Sequence, residues 1–186
     1  MKLFPAYLKH TATVLAAVAV CFFGACSADT DNQNVGIDST APTLRALEVS
    51  TVISDSGVTR YRATTPEWLI FNNVRSPYWL FPKGLRIEQF DTNLETEANI
   101  YCDKAHYDQS LRLWRLDGNV RVTNRKGEKF ETEQLFWDQV NAKVYSDKKI
   151  KIQQPNCIIN GSGFVSNETM THYEITHPEG IIPISD

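Results

Sequence analysis

Two carboxylates stand at a spacing that a glycoside hydrolase could use. Glu131 and Glu133 occupy alternate positions of an apolar-polar run, so on an extended strand they would share one face, about 6–7 Å apart. That separation suits an inverting glycosidase, in which one carboxyl group protonates the leaving group and the other activates water. The same spacing is typical of the solvated face of any strand. Glycoside hydrolysis is therefore the third hypothesis for this chain.

Other catalytic and metal-binding patterns are incomplete. Residues 161–163 are Gly-Ser-Gly, which lacks the G-x-S-x-G spacing of a nucleophile elbow, and glycines in a strand-like run typically mark a bulge. His106, His172 and His177 are far apart in sequence, so each is expected to be a surface or turn residue. The sequence predicts a protein that is not an enzyme and that uses no cofactor and no metal ion.

The four cysteines have different expected roles. Cys21 lies in an apolar N-terminal run, and Cys26 directly follows it. Cys102 and Cys157 lie on separate candidate strands. A disulfide between them is permitted in an oxidising compartment, but a buried free thiol is the commoner outcome for such a pair. Their spacing matches no zinc-binding pattern.

The N-terminus has the pattern of a secretory signal. Lys2 and Lys9 give it positive charge, and residues 11–23 form an uncharged and largely apolar run. The run is shorter than the roughly 20 apolar residues that a transmembrane helix needs. Small residues and then polar residues follow it, as expected around a cleavage site. Residues 1–25 are therefore predicted to be a signal peptide.

The end of this segment resembles the lipobox of bacterial lipoproteins, in which the cysteine after the cleavage site carries the lipid. The residues here are Gly24, Ala25 and Cys26. We expect Cys26 to be acylated and to anchor the chain to a membrane, with residues 26–42 as the acylated start and a flexible polar tether. The alternative is an uncleaved N-terminal membrane anchor.

Composition and pattern indicate one all-β domain over residues 43–186. The chain has 186 residues, 42% of them hydrophobic, and a net charge of −3, so no basic excess is present for nucleic-acid binding. From residue 43 onward, short runs alternate apolar and polar residues and end at turn residues, which predicts antiparallel strands. A thirty-residue repeat, Tyr-Asp-Gln at 107–109 and Trp-Asp-Gln at 137–139, indicates stacked hairpins. A rolled, partly open sheet is expected.

One face of the alternating runs is apolar and is predicted to line the interior. Its residues are Leu116, Val120, Val122, Phe130, Phe136, Val144, Ile150, Ile152, Ile158 and Phe164. Small or polar residues fall on the same alternate positions, namely Gly118, Thr132, Gln134, Ser146, Asn160 and Ser162. Each buried polar group without a partner would cost about 1–3 kcal/mol. An open groove is therefore favoured, with a packed core as the alternative.

A dense aromatic segment precedes these strands. Residues 78–81 are Tyr-Trp-Leu-Phe and lie between Pro77 and Pro82. The segment either plugs one end of the core, which is the favoured interpretation, or offers an aromatic contact to a lipid or a sugar.

Several short motifs follow one another over most of residues 44–176. They are Arg-Tyr-Arg-Ala at 60–63, Tyr-Trp-Leu-Phe-Pro-Lys-Gly-Leu at 78–85, Leu-Asp-Gly-Asn-Val at 116–120, Lys-Val-Tyr-Ser-Asp at 143–147 and Gly-x-Gly-Phe at 161–164. In this order they resemble a known family, the periplasmic component C of the lipopolysaccharide export system (LptC), in a form that bears a lipobox.

The resemblance implies an open, twisted antiparallel β-jellyroll with an apolar inner wall and no enzymatic activity. It implies that the protein accepts lipopolysaccharide from an inner-membrane ABC transporter. The protein would then pass the lipid to a periplasmic bridge protein of the same fold, toward the outer membrane.

The resemblance also implies that the first and last strands make the partner contacts. Residues 47–53 would pair toward the transporter through Leu47, Val49, Thr51 and Ile53. Residues 171–176 would pair toward the bridge protein through Thr171, Tyr173 and Ile175. The alternative from another class is an envelope β-lipoprotein that binds polysaccharide or scaffolds a surface assembly.

Overall fold

A computed structural model of the chain describes residues 41–179, and these residues form strands and turns without a helix. The prediction of an all-β fold is therefore confirmed. The eleven strands, in chain order, are β1 (Leu44–Asp55), β2 (Val58–Phe71), β3 (Tyr78–Phe81), β4 (Leu85–Phe90), β5 (Thr96–Cys102), β6 (Lys104–Asp108), β7 (Leu113–Asn124), β8 (Lys129–Asp138), β9 (Lys143–Gln153), β10 (Ile158–Asn167) and β11 (Tyr173–Glu179).

The strands form one antiparallel sheet in which most chain neighbours are also sheet neighbours. β3 and β4 together face β5 and β6, because β3 pairs with β6 and β4 pairs with β5. Each pair behaves as one strand with a break, at residues 82–84 in the first and at Asp103 in the second. β1 pairs with β2 and β11 pairs with β10, so these two strands form the edges of an open sheet within the described residues.

The thirty-residue repeat of the sequence is a repeat of structure. Asp108 and Asp138 each end a strand, and each side chain accepts a hydrogen bond from the backbone N–H three residues further on. Arg112 and Ala142 then adopt φ angles of 52° and 50° in the two tight turns. The same turn chemistry therefore starts both β7 and β9.

A line of bulges crosses the sheet from β7 to β10. The register shifts fall between Asp117 and Val120 on β7, between Thr132 and Phe136 on β8, and between Ser162 and Phe164 on β10. Bulges bend strands and increase their twist, and such bends let strands pass from one packed layer to another. The sheet folds back on itself along this line.

The Leu-Asp-Gly-Asn motif forms one of these bulges. Gly118 and Asn119 adopt φ angles of 76° and 45°. The Asn119 amide donates to Asp103 Oδ2 at 2.6 Å, and the Asp103 N–H donates to the Gly118 carbonyl at 3.0 Å. A Cβ at Gly118 would lie 3.1 Å from the Asp103 side chain, so glycine allows the bulge to pack against the break between β5 and β6.

Candidate functional site: the apolar interior and the two edge strands

Eight of the ten residues predicted to line the interior do so. They are at most 4% exposed and belong to one continuous cluster: Leu116, Val120, Val122, Phe130, Val144, Ile150, Ile152 and Phe164. In the described structure their side chains pack against one another. Lipid binding by these residues stays a prediction.

The interior placement of Phe136 and Ile158 was wrong. Phe136 stacks on Tyr145 with a centroid distance of 5.2 Å, while its neighbours Leu135 and Trp137 are buried in the interior. Ile158 is 49% exposed, and Ile159 packs against the core instead. In both strands a bulge moves the alternation by one residue, and a one-residue shift exchanges the two faces of a strand.

Two of the polar residues among the predicted interior positions, Thr132 and Ser146, are buried and find partners at a bulge. The Thr132 hydroxyl donates to the Lys149 carbonyl at 2.8 Å, and the Ser146 hydroxyl donates to the Gln134 carbonyl at 2.6 Å. These carbonyls lie where the regular ladder is interrupted. Buried hydroxyls with such partners avoid the penalty for unpaired groups, so they do not require an open interior.

An aromatic cluster fills the half of the roll beside β1. Trp68 lies 5.0 Å from Trp79 and 5.5 Å from Phe81, and Phe81 lies 5.7 Å from Trp114, measured between ring centroids. The 78–81 segment is thus strand β3, with Trp79 and Phe81 turned inward. The segment does belong to the core, but it is a paired strand between β2 and β6 and not a loop or edge that plugs one end.

A narrow apolar gap lies between this cluster and β1. It is lined from β1 by Val49, Thr51 and Ile53. These are three of the four β1 residues that the sequence assigned to a partner contact. The fourth, Leu47, is 57% exposed on the outer surface. Glu48, with a φ of 49°, lies between Leu47, whose side chain faces outward, and Val49, whose side chain faces the aromatic cluster.

An ion-pair cluster holds the beginning of β1 to the sheet. Glu67 on β2 is 7% exposed at its side chain and accepts from Arg45 Nε at 2.6 Å and from Lys83 Nζ at 3.0 Å. The hydrogen bonds from Lys83 and then Arg45 hold the pKa of Glu67 below its usual range. Glu67 therefore ties β1 to the turn between β3 and β4.

The last edge strand begins later than expected. Thr171 lies outside β11, in the turn that precedes it, and its N–H donates to Asn167 Oδ1 at 3.0 Å. The assignment of Thr171 to the edge strand was wrong, because the Asn167 side chain closes a local turn there. Tyr173 and Ile175 are within β11 and turn toward the core.

The Gly-x-Gly motif of β10 brings β11 close. A Cβ at Gly161 would overlap Ile175 Cγ2 and would lie 2.7 Å from the His177 carbonyl oxygen. Gly163 has a φ of 79° and faces Thr176 at the bulge. The two glycines thus position the edge strand, because any side chain at Gly161 would push it away.

The two cysteines of the described region are free thiols. Cys102 is fully buried, and burial raises the pKa of its thiol to about 12. Cys157 is partly buried, with its sulfur 2.9 Å from Gln154 Oε1. The structure agrees with the expectation of unpaired cysteines.

The residues considered for catalysis lie on the outer face. Glu131 and Glu133 are exposed, and Glu131 lies 3.6 Å from Lys151. They line an outer groove that crosses β7 to β11 and contains both acidic and basic side chains. Among residues 41–179, His, Cys, Asp and Glu side chains form no group of three that could hold a metal ion.

The pKa of His106 is lowered by burial and by the charge of Arg115.

Several interior residues were missed from sequence. Trp114, Leu135, Trp137 and Met170 are all at most 5% exposed. Trp114 lies two residues before Leu116 on the same alternation, so extending that run would have found it. Leu135 and Trp137 follow a bulge and Met170 lies in a turn, so simple alternation carries no signal for them.

These features define a class: an open antiparallel β-jellyroll with an apolar interior and, within the described residues, two free edge strands. The family model described as "Lipopolysaccharide-assembly, LptC-related" matches residues 12–177, and the chain belongs to this family. Comparison with curated proteins gives no match.

Family membership gives the chain a role in lipopolysaccharide transport. The family consists of transport-bridge components of the periplasmic envelope and is not known for enzymatic activity. Over residues 41–179, the structure contains no helix of the length and hydropathy needed to cross a bilayer.

Proposed function

We propose that this protein is a non-enzymatic carrier that accepts lipopolysaccharide from an inner-membrane ABC transporter and passes it along a periplasmic β-jellyroll bridge. The observation that carries the proposal is the apolar interior enclosed by a sheet whose two edge strands are free within residues 41–179. Each methylene removed from water contributes about 0.8 kcal/mol, so long acyl chains need such an interior between the membranes. The direction of transport comes from ATP hydrolysis by the transporter.

The two edges differ in a way that supports two different partners. β1 exposes Leu44, Leu47 and Val52, all more than half exposed, whereas the exposed residues of β11 include Glu174 and His177. An unpaired edge can accept a strand from another sheet. We assign β1 to the transporter and β11 to the bridge protein.

Photo-crosslinking residues test these edges in cells. At Leu47 or Val52 they should capture the transporter, and at Glu174 or Thr176 they should capture the bridge protein. Lys151, on the outer face between the edges, is the control and should capture neither. If the two edges capture the same partner, the assignment of the edges is wrong.

The membrane anchor is proposed to be lipidated Cys26, which lies outside the described residues. Two or three acyl chains hold a protein stably at a membrane, whereas one chain binds only marginally. The intact mass of the protein purified from membranes decides between the alternatives. A chain that begins at Cys26 with added acyl mass is expected, and a chain that begins at Met1 without it would contradict the proposal.

Depletion of the protein tests the transport function itself. Newly made lipopolysaccharide should accumulate at the inner membrane, because the bridge loses its first periplasmic segment. Unchanged delivery to the outer membrane would contradict the proposal.

A second candidate function is polysaccharide binding by an envelope lipoprotein, which the polar outer groove favours. Titration of the purified protein with lipid A and with lipid-free glycans separates the two. The carrier binds lipid A alone, whereas the polysaccharide-binding protein binds glycans.

A further inference from the structure

The two layers of the folded sheet are joined at one end by a small set of polar contacts, here named the clasp. The clasp consists of Asn124, Glu128, Gln154, Met170 and Tyr173. Asn124 Nδ2 donates to the Met170 carbonyl at 2.8 Å, and Gln154 Nε2 lies 2.7 Å from the Tyr173 hydroxyl. These contacts connect the β7–β8 and β9–β10 turns with the turn that leads into β11.

Glu128 is the centre of the clasp. Glu128 is 7% exposed. Its carboxylate accepts hydrogen bonds from the Asn124 and Gln154 side-chain amides at 2.7 Å each and from the Tyr173 hydroxyl at 3.3 Å. All three donors are neutral. Burial, and then the Glu128 charge, raise the pKa of Tyr173, so its hydroxyl keeps the proton that it donates.

The clasp covers a part of the interior that is tightly packed. Phe130, Phe164 and Met170 are each at most 2% exposed. The Tyr173 ring covers the two phenylalanines, with centroid distances of 5.2 Å to Phe130 and 5.9 Å to Phe164. To reach these residues through the clasp, an acyl chain must separate the two layers.

The contacts across the clasp are of a kind that can separate without breaking the sheet. Each hydrogen bond described above uses at least one side chain, and a further one runs from Lys126 Nζ to the Thr171 carbonyl at 3.0 Å. The strands themselves are held by backbone ladders, such as the nine residue pairs between β9 and β10, which lie on both sides of one bulge. Opening the clasp therefore leaves every strand pairing intact.

A polar groove lies directly beside the clasp. Its lining includes Lys126, Gln154, Asn167, Thr171 and His172 together with Glu128 and Tyr173. Amide, hydroxyl and charged side chains of this kind suit the hydroxyl and phosphate groups of a sugar headgroup. The groove and the covered phenylalanines thus lie on the two sides of the clasp.

We propose that the clasp is the gate through which acyl chains pass between this half of the interior and the surface beside β11, with the sugar headgroup held in the adjoining polar groove. The inference rests on the proposed carrier function and specifies where acyl chains cross the wall of the roll. It makes Glu128 and Tyr173 positioning residues of the gate.

A reversible lock across the clasp tests this inference. In the full-length protein purified from membranes, Lys126→Cys and Thr171→Cys are joined by a reducible bifunctional thiol reagent, with Cys157→Ser to remove the other accessible thiol of the domain. A photo-crosslinking residue at Ile159, which is partly buried against the core, reports capture of added lipopolysaccharide. Phe130 is the second reporter position.

The matched control joins Glu131→Cys to Lys151→Cys, which are direct partners on the outer face of β8 and β9. This lock does not cross the clasp. We expect the clasp lock to lower capture at least tenfold, reduction of the reagent to restore it, and the control lock to leave it unchanged. Equal capture with the clasp locked and unlocked would overturn the gate and leave the carrier function standing.

Absence of capture at both reporter positions in the unlocked, folded protein would instead overturn the carrier function, and the gate with it.

Tyr173→Phe is a variant that should loosen the clasp, whereas the thiol reagent locks it. It keeps the ring over the phenylalanines but removes the hydroxyl that contacts Glu128 and Gln154. Capture should become several-fold faster, and an unchanged or slower rate would contradict the role of the clasp.

Discussion

The rings of Phe130 and Phe164 lie 5.7 Å apart between centroids, although the sheet separates them widely. Phe130 pairs with Ile152, Ile152 pairs with Ile159, and Phe164 lies five residues further along β10. Five residues of strand span about 16 Å. The contact exists because the line of bulges folds β8 and β10 back over each other, and this fold makes an enclosed interior from an open sheet.

The bulges predict different effects for two phenylalanines of the same strand. Phe130→Ala should lower the free energy of unfolding by about 3–5 kcal/mol, because it empties a buried site. Phe136→Ala removes a ring on the outer face that stacks on Tyr145, and should cost about 1 kcal/mol. Urea unfolding of both variants measures the difference. Similar losses would place the two rings on one face and contradict the described register.

The close approach of β11 to β10 predicts a specific effect at Gly161. Gly161→Val should lower the free energy of unfolding by about 1–3 kcal/mol, since the new side chain overlaps Ile175. Amide hydrogen exchange should rise selectively in β11, and capture of the bridge protein should fall.

Gly127→Ala is the control for the glycine prediction. Gly127 has a φ of 78°, and a Cβ added there would have no neighbouring atom within 4 Å. The change therefore adds backbone strain of about 1 kcal/mol without a clash. β11 should keep its protection in this variant. Equal loss of β11 protection in both variants would show that the glycine contact does not position the edge.

The ion pairs of Glu67 predict a pH dependence of stability. Hydrogen bonds from Lys83 and Arg45 lower the pKa of Glu67 from its ordinary 4.5. Its contribution is therefore complete above that ordinary value and is lost as pH falls through the lower folded value. Between about pH 6 and pH 3, Glu67→Gln should flatten the decline in the free energy of unfolding.

Lys83→Met should act in the same direction, because it removes the largest cause of the shift. Chemical unfolding across this pH range provides the measurement. An acid decline that is as steep in Glu67→Gln as in the unchanged protein would exclude this cluster as its source.

Alternation in the sequence was sufficient to predict the strands and most of the interior, because a half-buried strand must place apolar residues at every second position. It failed at Phe136 because the bulge of β8 adds one residue without a distinctive composition. It failed at Ile158 because the alternation was continued through the β10 bulge, although Gly163 marks that bulge in the sequence. The thirty-residue repeat was visible because both copies use the same Asp side chain in the turn.

The clasp could not have been predicted from local pattern. Asn124 and Glu128 belong to a turn, and their partner Tyr173 is 45 residues from Glu128 along the chain. Their meeting depends on how far the bulges bend the sheet, which is a property of the packed layers. The start of β11 was misplaced for a similar reason, since Asn167 closes the turn that contains Thr171.

The central claim is that acyl chains of lipopolysaccharide travel on the inner face of the roll, and two adjacent residues test it most directly. Phe130 is 1% exposed on the inner face, and Glu131 is exposed on the outer face of the same strand. A photo-crosslinking residue is placed at each position in turn in cells with active transport. The account predicts capture of lipopolysaccharide at position 130 and none at position 131, whereas equal capture at both positions, or capture at 131 alone, would contradict it.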